Sequence, residues 1–176
     1  MSFFYRFETV ETKRQLDALT AFVRAHNPGY RNYHDWLDRT RSEIAAGYKE
    51  AIIALSNGVV IADGIWQPHK ELFRLAEFKN LRVVEEGRGV ARFIAKQVEV
   101  EAKKRGQVGV IGDVRSNQLG LVRFITGLVY TPIQTIPLYE PSEPDVVVIK
   151  LFDLTDRTRN QKILDSVERA LFSAAV

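Results

Sequence analysis

Gly87, Arg88 and Gly89 stand where a strand-like run ends and a helical pattern begins, and a glycine turn that opens a helix is a device for holding phosphate. The first amides of a helix have no acceptor within it, the helix dipole favours negative charge there, and glycine lets an anion approach the backbone closely. This predicts capture of a nucleotide-like cofactor, with Arg88 and Arg92 near the helix start as cations for its phosphates. Glycine is 11 of the 176 residues, so a bare Gly-x-Gly arises roughly once by chance in such a chain. A dinucleotide fingerprint would need a third glycine where Arg92 stands, although Asp113 ends the next strand where a ribose-binding acid belongs. A P-loop needs a following Gly-Lys-Ser/Thr, which is absent. A turn that only closes a strand onto a helix also uses glycine, so the flanking residues decide.

The elements that must position this turn follow from periodicity. Phe3 to Val10 alternates as a first strand, and Thr12 caps a helix through Leu16, Leu19 and Phe22 to about Ala25, ended by Asn27-Pro28-Gly29. A second helix is expected from about Tyr33 to Ala46, with Trp36, Leu37 and Ile44 on its apolar side and Gly47 as its stop. Ala51 to Ser56, Asn57-Gly58 and Val59 to Trp66 form the strongest hairpin signal in the chain. After the Gln67-Pro68-His69 turn, Glu71 to Val84 reads as a longer strand that leads into the glycine turn. Val90, Ile94, Val98 and Ala102 then recur four apart on one helix face, and Lys103, Lys104 and Arg105 suit its last turn before Gly106.

Downstream, Val108 to Val114 reads as a buried strand, Asn117 to Ile125 as a short helix, and Tyr130 to Ile136 and Val146 to Leu151 as strands. Pro137, Pro141 and Pro144 mark an excursion between the last two. Thr155 to Ala174 reads as a C-terminal helix with Ile163, Leu164, Val167, Leu171 and Phe172 on its apolar side. The length of 176 residues, with 45% hydrophobic and 27% charged, fits one globular domain over 1–176. Absence of cysteine removes disulfides, thiolate metal sites and a cysteinyl acyl intermediate. A net charge of +3 and a pI near 9.2 would suit an anionic cofactor or nucleic acid but are common in proteins that bind neither. The opening apolar run is short for a signal peptide and no stretch is long enough to span a membrane, so a cytoplasmic protein is expected. His26, His34 and His69 lack metal-ligand spacing, and no metal is predicted.

In this order of elements, the chain from about Phe3 to Leu151 resembles the GCN5-related N-acetyltransferase (GNAT) superfamily. That superfamily's acetyl-CoA motif, Gln or Arg, two residues, Gly, one residue, then Gly or Ala, is similar to Glu86-Gly87-Arg88-Gly89-Val90-Ala91; Gly89 and Ala91 match, and Glu86 replaces the usual first residue. Asp113 to Asn117, then Phe124 and Gly127-Leu128, resembles the second cofactor motif, in which an asparagine opens a helix beside the pantetheine arm. The resemblance implies an α+β fold with a central, mostly antiparallel twisted sheet flanked by helices, here with an added C-terminal helix at about 155–174. It implies acetyl-CoA as co-substrate, held by Leu81, Arg82, Val83, Gly87, Arg88, Gly89, Val90, Ala91, Arg92, Asn117 and Phe124.

The resemblance also implies an activity, acetyl transfer to a primary amine. A protonated amine must first lose a proton, and Glu77 occupies the strand position where histone acetyltransferases of the superfamily carry a base. Strand alternation puts Glu77, Lys79 and Leu81 on one face; a solvated glutamate on a sheet face is the other reading. The family often has a tyrosine seven residues after the asparagine as acid for the departing thiolate. Phe124 stands there, so that role is vacant or falls to another group such as Tyr130. Without cysteine, transfer is expected to be direct. The acceptor stays open among a small amine, a protein lysine or N-terminus, and aminoacyl-tRNA, as do a nucleic-acid partner and a homodimer. Tyr30 to Trp36 mixes aromatic and charged groups that either shape acceptor choice or pack the second helix. A non-catalytic acyl-CoA-binding or nucleic-acid-binding module on the same fold is the competing reading.

Overall fold

The computed structural model of the chain describes residues 4–29, 32–72, 74–84 and 87–174, and of 172–174 the backbone alone. Phe3, Tyr30, Arg31, Glu86 and the side chain of Phe172 lie outside the described residues. The described chain is α+β. Five helices accompany one seven-stranded, mostly antiparallel sheet with strand order β1-β2-β3-β4-β5-β7-β6. The strands are β1 (Tyr5–Thr9), β2 (Glu50–Ser56), β3 (Val59–Pro68), β4 (Leu75–Val83), β5 (Gly109–Arg115), β6 (Thr131–Glu140) and β7 (Glu143–Leu151). The helices are α1 (Lys13–Ala25), α2 (Tyr33–Ala45), α3 (Val90–Lys104), α4 (Leu119–Gly127) and α5 (Arg157–Ala174). The chain divides into two compact units, Met1–Gln67 with Lys79–Val100, and Pro68–Phe78 with Glu101–Val176.

In the first unit the local signals set the elements directly. Thr12 and Gln15 form a capping box at the start of α1: the Gln15 amide donates to Thr12 Oγ1 at 3.3 Å, and the Thr12 amide donates to Gln15 Oε1 at 2.9 Å. Asn57 and Gly58 both have positive φ, 52° and 81°, which gives β2 and β3 the turn twist a two-residue hairpin requires. Leu16, Leu19, Phe22 and Val23 of α1 and Leu37 of α2 meet Ala51, Ile53, Leu55 and Ile65 of the hairpin in one core. Burial of such aliphatic side chains contributes roughly 1.5–3 kcal/mol each.

In the second unit β5 is the centre. It pairs in parallel with β4 over Leu75–Glu77 and Gly109–Ile111, and antiparallel with β7 from Gly109↔Leu151 to Arg115↔Asp145. Leu75, Ile111, Val147 and Ile149 share a core with Val167 and Leu171 of α5. Gly109 is forced by close approach, since a Cβ there would lie 2.6 Å from the Lys150 carbonyl oxygen.

Several boundaries differ from the sequence reading. β4 begins at Leu75 and not Glu71, because the His69 ring accepts the amides of Glu71 and Leu72 and holds them in a turn. α4 begins at Leu119, so Asn117 lies in the turn before it. The proline segment is no excursion: β6 runs through Pro137 to Glu140 and turns into β7 at Glu143. Proline is tolerated because β6 ends the strand order and its ladder breaks register at Pro132/Gln134 and Ile136/Glu140, where a missing N–H costs little. α5 starts at Arg157 because Asp156 caps it, accepting the Arg159 amide at 2.9 Å.

These packing differences give a direct test. Gly109→Ala is expected to destabilise the protein by about 2–3 kcal/mol in urea unfolding, as overpacking against a backbone oxygen does. Gly120→Ala, where a Cβ meets nothing within 4 Å, is expected to be neutral or stabilising.

Candidate functional site

The glycine turn opens α3. Gly87 and Gly89 adopt φ of 77° and 73°, the left-handed region, and a Cβ on either would meet no atom within 4 Å. Backbone handedness, not crowding, therefore demands glycine at these positions. The Gly89 carbonyl accepts the Phe93 amide at 3.0 Å, the first hydrogen bond of the helix, so the amides of Val90, Ala91 and Arg92 have no acceptor within it. Val90, Ile94, Ala95 and Val98 are buried and fix the helix, while Arg88 and Arg92 are exposed. Arg88 donates to Tyr5 Oη at 3.1 Å, and Phe93 packs on Phe7 at 4.0 Å between ring centroids. An exposed turn at a helix start, with two arginines and, among the described residues, open space, fits the phosphates of a nucleotide.

Leu81, Arg82 and Val83 are half-buried at the end of β4. The guanidinium of Arg82 is committed within the first unit: Nη1 donates to the His26 carbonyl and, at 2.8 Å, to Tyr33 Oη, with the Tyr33 ring centroid 5.6 Å away. Beneath it lies a group the sequence reading missed. Asp63 is fully buried on β3, opposite the core residue Ile53, and its Oδ2 accepts from Asn80 Nδ2 at 2.7 Å. Burial pushes its carboxyl up to about 7, against the opposing pull of the Asn80 hydrogen bond and the charges of Arg82 and His26. Lys49 is similarly buried against Glu43, 2.6 Å away, and Thr40, and burial lowers its ammonium despite the Glu43 hydrogen bond and charge. An alternating apolar strand gave no sign of Asp63, since one polar residue in a strand reads as a solvent-facing position.

Glu77 is half-buried in the second unit, in register with Ile111 of β5 and, through it, Ile149 of β7. Asp113 lies two residues along the same face of β5, and its Oδ1 accepts from Tyr139 Oη at 3.2 Å. Desolvation at the hydroxyl end, then the negative charges of Asp113 and Glu77, push this phenol up and keep it protonated, although the residue as a whole is 62% exposed. Arg115 balances the group. It is 7% exposed, donates to the Glu143 carbonyl at 2.9 Å, and lies 2.9 Å from Glu143 Oε2 and 3.4 Å from Asp145 Oδ1. Burial raises the Asp145 carboxyl against the pull of Arg115. Tyr139 sits on the proline segment, whose sequence reads as an excursion, so no local pattern places it beside Asp113.

Tyr130 is buried just before β6, with the Lys150 ammonium 5.4 Å from its ring centroid. Lys150 pairs with Val110, a neighbour of Ile111, so alternation sets Tyr130 and Glu77 on opposite faces of the strands they border. Asn117 is exposed in the turn between β5 and α4, and Phe124 is half-buried on α4. Among the described residues no group of three or more His, Cys, Asp and Glu is gathered for a metal, and no helix is long and apolar enough to cross a membrane.

No protein-family model matches the sequence, and no curated protein does. Solved structures match in fold. A Desulfovibrio desulfuricans protein assigned to the GNAT family of acetyltransferases superposes with a TM-score of 0.74, covering 84% of this chain and 99% of its own at 10% identity. This chain has the GNAT fold. The ribosomal-protein-S18-alanine N-acetyltransferase of Escherichia coli matches at a TM-score of 0.67 and 15% identity, over 86% of this chain and 96% of its own. YncA of Salmonella typhimurium, assigned as an acetyltransferase and solved with its cofactor acetyl-CoA, matches at 0.66 and 16% identity, over 89% and 97%.

Asp63 makes stability depend on pH. The folded carboxyl keeps its proton up to about pH 7, whereas an unfolded aspartate loses it near 3.8. The native state therefore binds the extra proton between those values, and stability falls as pH rises across them. Urea unfolding from pH 4 to 8 is expected to show a loss on the order of 2–4 kcal/mol that Asp63→Asn largely removes. An equally steep loss in the variant would assign it to other groups.

Proposed function

We propose that the chain belongs to the GNAT superfamily and is an acetyl-CoA-dependent N-acetyltransferase that acts on a primary amine in the cytoplasm. The observation that carries this reading is the left-handed pair Gly87 and Gly89 at the head of α3, which leaves three main-chain amides and open space for a pyrophosphate in a chain of this fold. Val90, Ala91 and Arg92 donate their amides to that pyrophosphate, and Arg88 and Arg92 add positive charge. Leu81 to Val83 on β4, with Asn117 and Phe124 beyond β5, hold the rest of the molecule. Acetyl-CoA supplies an activated thioester carbonyl.

Glu77 takes the proton from the acceptor's ammonium, directly or through water. The freed lone pair then forms the new C–N bond as the C–S bond breaks, and the departing thiolate needs a proton. Tyr130 lies on the face opposite Glu77, so water on the Glu77 side returns this proton. Arg115 offsets the carboxylates of this group, so its charge leaves a small amine, a protein amine and aminoacyl-tRNA all open as acceptor.

Thermal-shift titration tests the co-substrate. Acetyl-CoA and CoA are each expected to stabilise the protein, by roughly 2.7 kcal/mol at a hundredfold excess over Kd, and stabilisation by NAD alone would overturn the assignment. Gly89→Ala is expected to weaken acetyl-CoA binding about tenfold, because a side chain at that φ costs about 1–2 kcal/mol. In acetyl-transfer assays over an amine panel, Glu77→Gln is expected to lower turnover by on the order of 10²-fold with acetyl-CoA affinity kept. Tyr130→Phe is expected to leave turnover and KM unchanged, and a fall in turnover alone would return the acid role to that hydroxyl. Full CoA affinity with no transfer to any amine would favour the binding-module reading.

A further inference from the structure

A hollow of about 620 Å³ in the second unit uses none of the residues assigned above. It is lined in part by His69, Lys70, Glu71, Arg74, Arg105 and Gln107, so three cations face one carboxylate. The His69 ring adds no charge, because its Nδ1 accepts the amides of Glu71 and Leu72 at 3.1 and 3.0 Å and so carries a lone pair.

Arg74 is built into this hollow at a cost. It has φ of 63°, a left-handed conformation that strains a residue bearing a side chain. Its carbonyl accepts the Val108 amide at 2.8 Å, and its Nε donates to the Gly106 carbonyl at 3.2 Å. Only Nε is used. Both Nη groups of this pinned guanidinium lack a hydrogen-bond partner among the described residues, which leaves a planar two-nitrogen edge held in one orientation. Such an edge matches two oxygens of a phosphate.

The hollow adjoins the end of α3, where carbonyl oxygens would repel an anion. They are already covered: the Gly106 amide donates to Lys103 and the Gln107 amide to Ala102, both at 3.0 Å, and Arg74 caps Gly106. We infer that this hollow binds a phosphate group, held by the Nη edge of Arg74 and the charges of Lys70 and Arg105. A free polyphosphate and the backbone of a single-stranded RNA present the same chemistry.

Calorimetric titration with inorganic pyrophosphate and with a short single-stranded RNA, each with and without saturating CoA, tests this and tells the two sources apart. At least one probe is expected to bind, more weakly as salt rises, and without competition from CoA. Lys70→Ala and Arg74→Gly are each expected to weaken binding about tenfold; glycine at position 74 keeps the left-handed backbone while removing the guanidinium. Binding of pyrophosphate alone identifies a small phosphate ligand, and RNA binding with a steeper salt dependence identifies a nucleic acid. Absence of binding by both probes, displacement by CoA, or unchanged affinity in both variants overturns the inference. Should Arg74→Gly fail to fold, Lys70→Ala and Arg105→Gln decide it.

Discussion

Parallel pairing of β4 with β5 over Leu75–Glu77 is the constraint from which much of the molecule follows. Two parallel neighbours cannot be joined by a tight turn, so the chain between them must make a long crossover, and here α3 supplies it. A helix placed after a strand in this way needs a sharp entry, which the two left-handed glycines provide. The amide-rich turn is thus a product of the topology. Antiparallel ladders complete the rest, with β7 returning along the whole of β5 from Leu151 to Asp145.

What could be read from sequence was what depends on near neighbours in the chain. The capping box at Thr12 and Gln15, the Asn57-Gly58 hairpin and the four-residue repeat of Val90, Ile94, Val98 and Ala102 are each decided within a few residues, and each appears where periodicity sets it. The proline segment misled because its tolerance depends on β6 ending the strand order, which no local pattern reveals. The polar groups of the interior were hidden for a related reason. Asp63 is acceptable inside only because Asn80, seventeen residues later, meets it, and Arg115 because Glu143 and Asp145 return beside it.

Of the candidate residues, the glycine turn's place before a helix and Glu77's place on a strand were legible, and their surroundings were not. Tyr139 and Asp113 come together only through the pairing of β5, β7 and β6. Arg82, which the resemblance assigns to the cofactor, spends its guanidinium on Tyr33 and His26. Side-chain type suggested chemistry; partners decided which chemistry was left available. A buried carboxylate that keeps its proton to about pH 7 is costly when ionised, so the molecule accepts an internal penalty that a hydrophobic residue at Asp63 would avoid.

The open space around Gly87 and Gly89 has a consequence for what evolution and engineering can put there. Volume is not restricted at either position, so what is selected is mirror-image backbone geometry. A D-alanine introduced by chemical synthesis would satisfy both positions, whereas every L-residue with a side chain is strained. The requirement at this turn is one of chirality, which glycine meets because it alone among the genetically encoded residues has none.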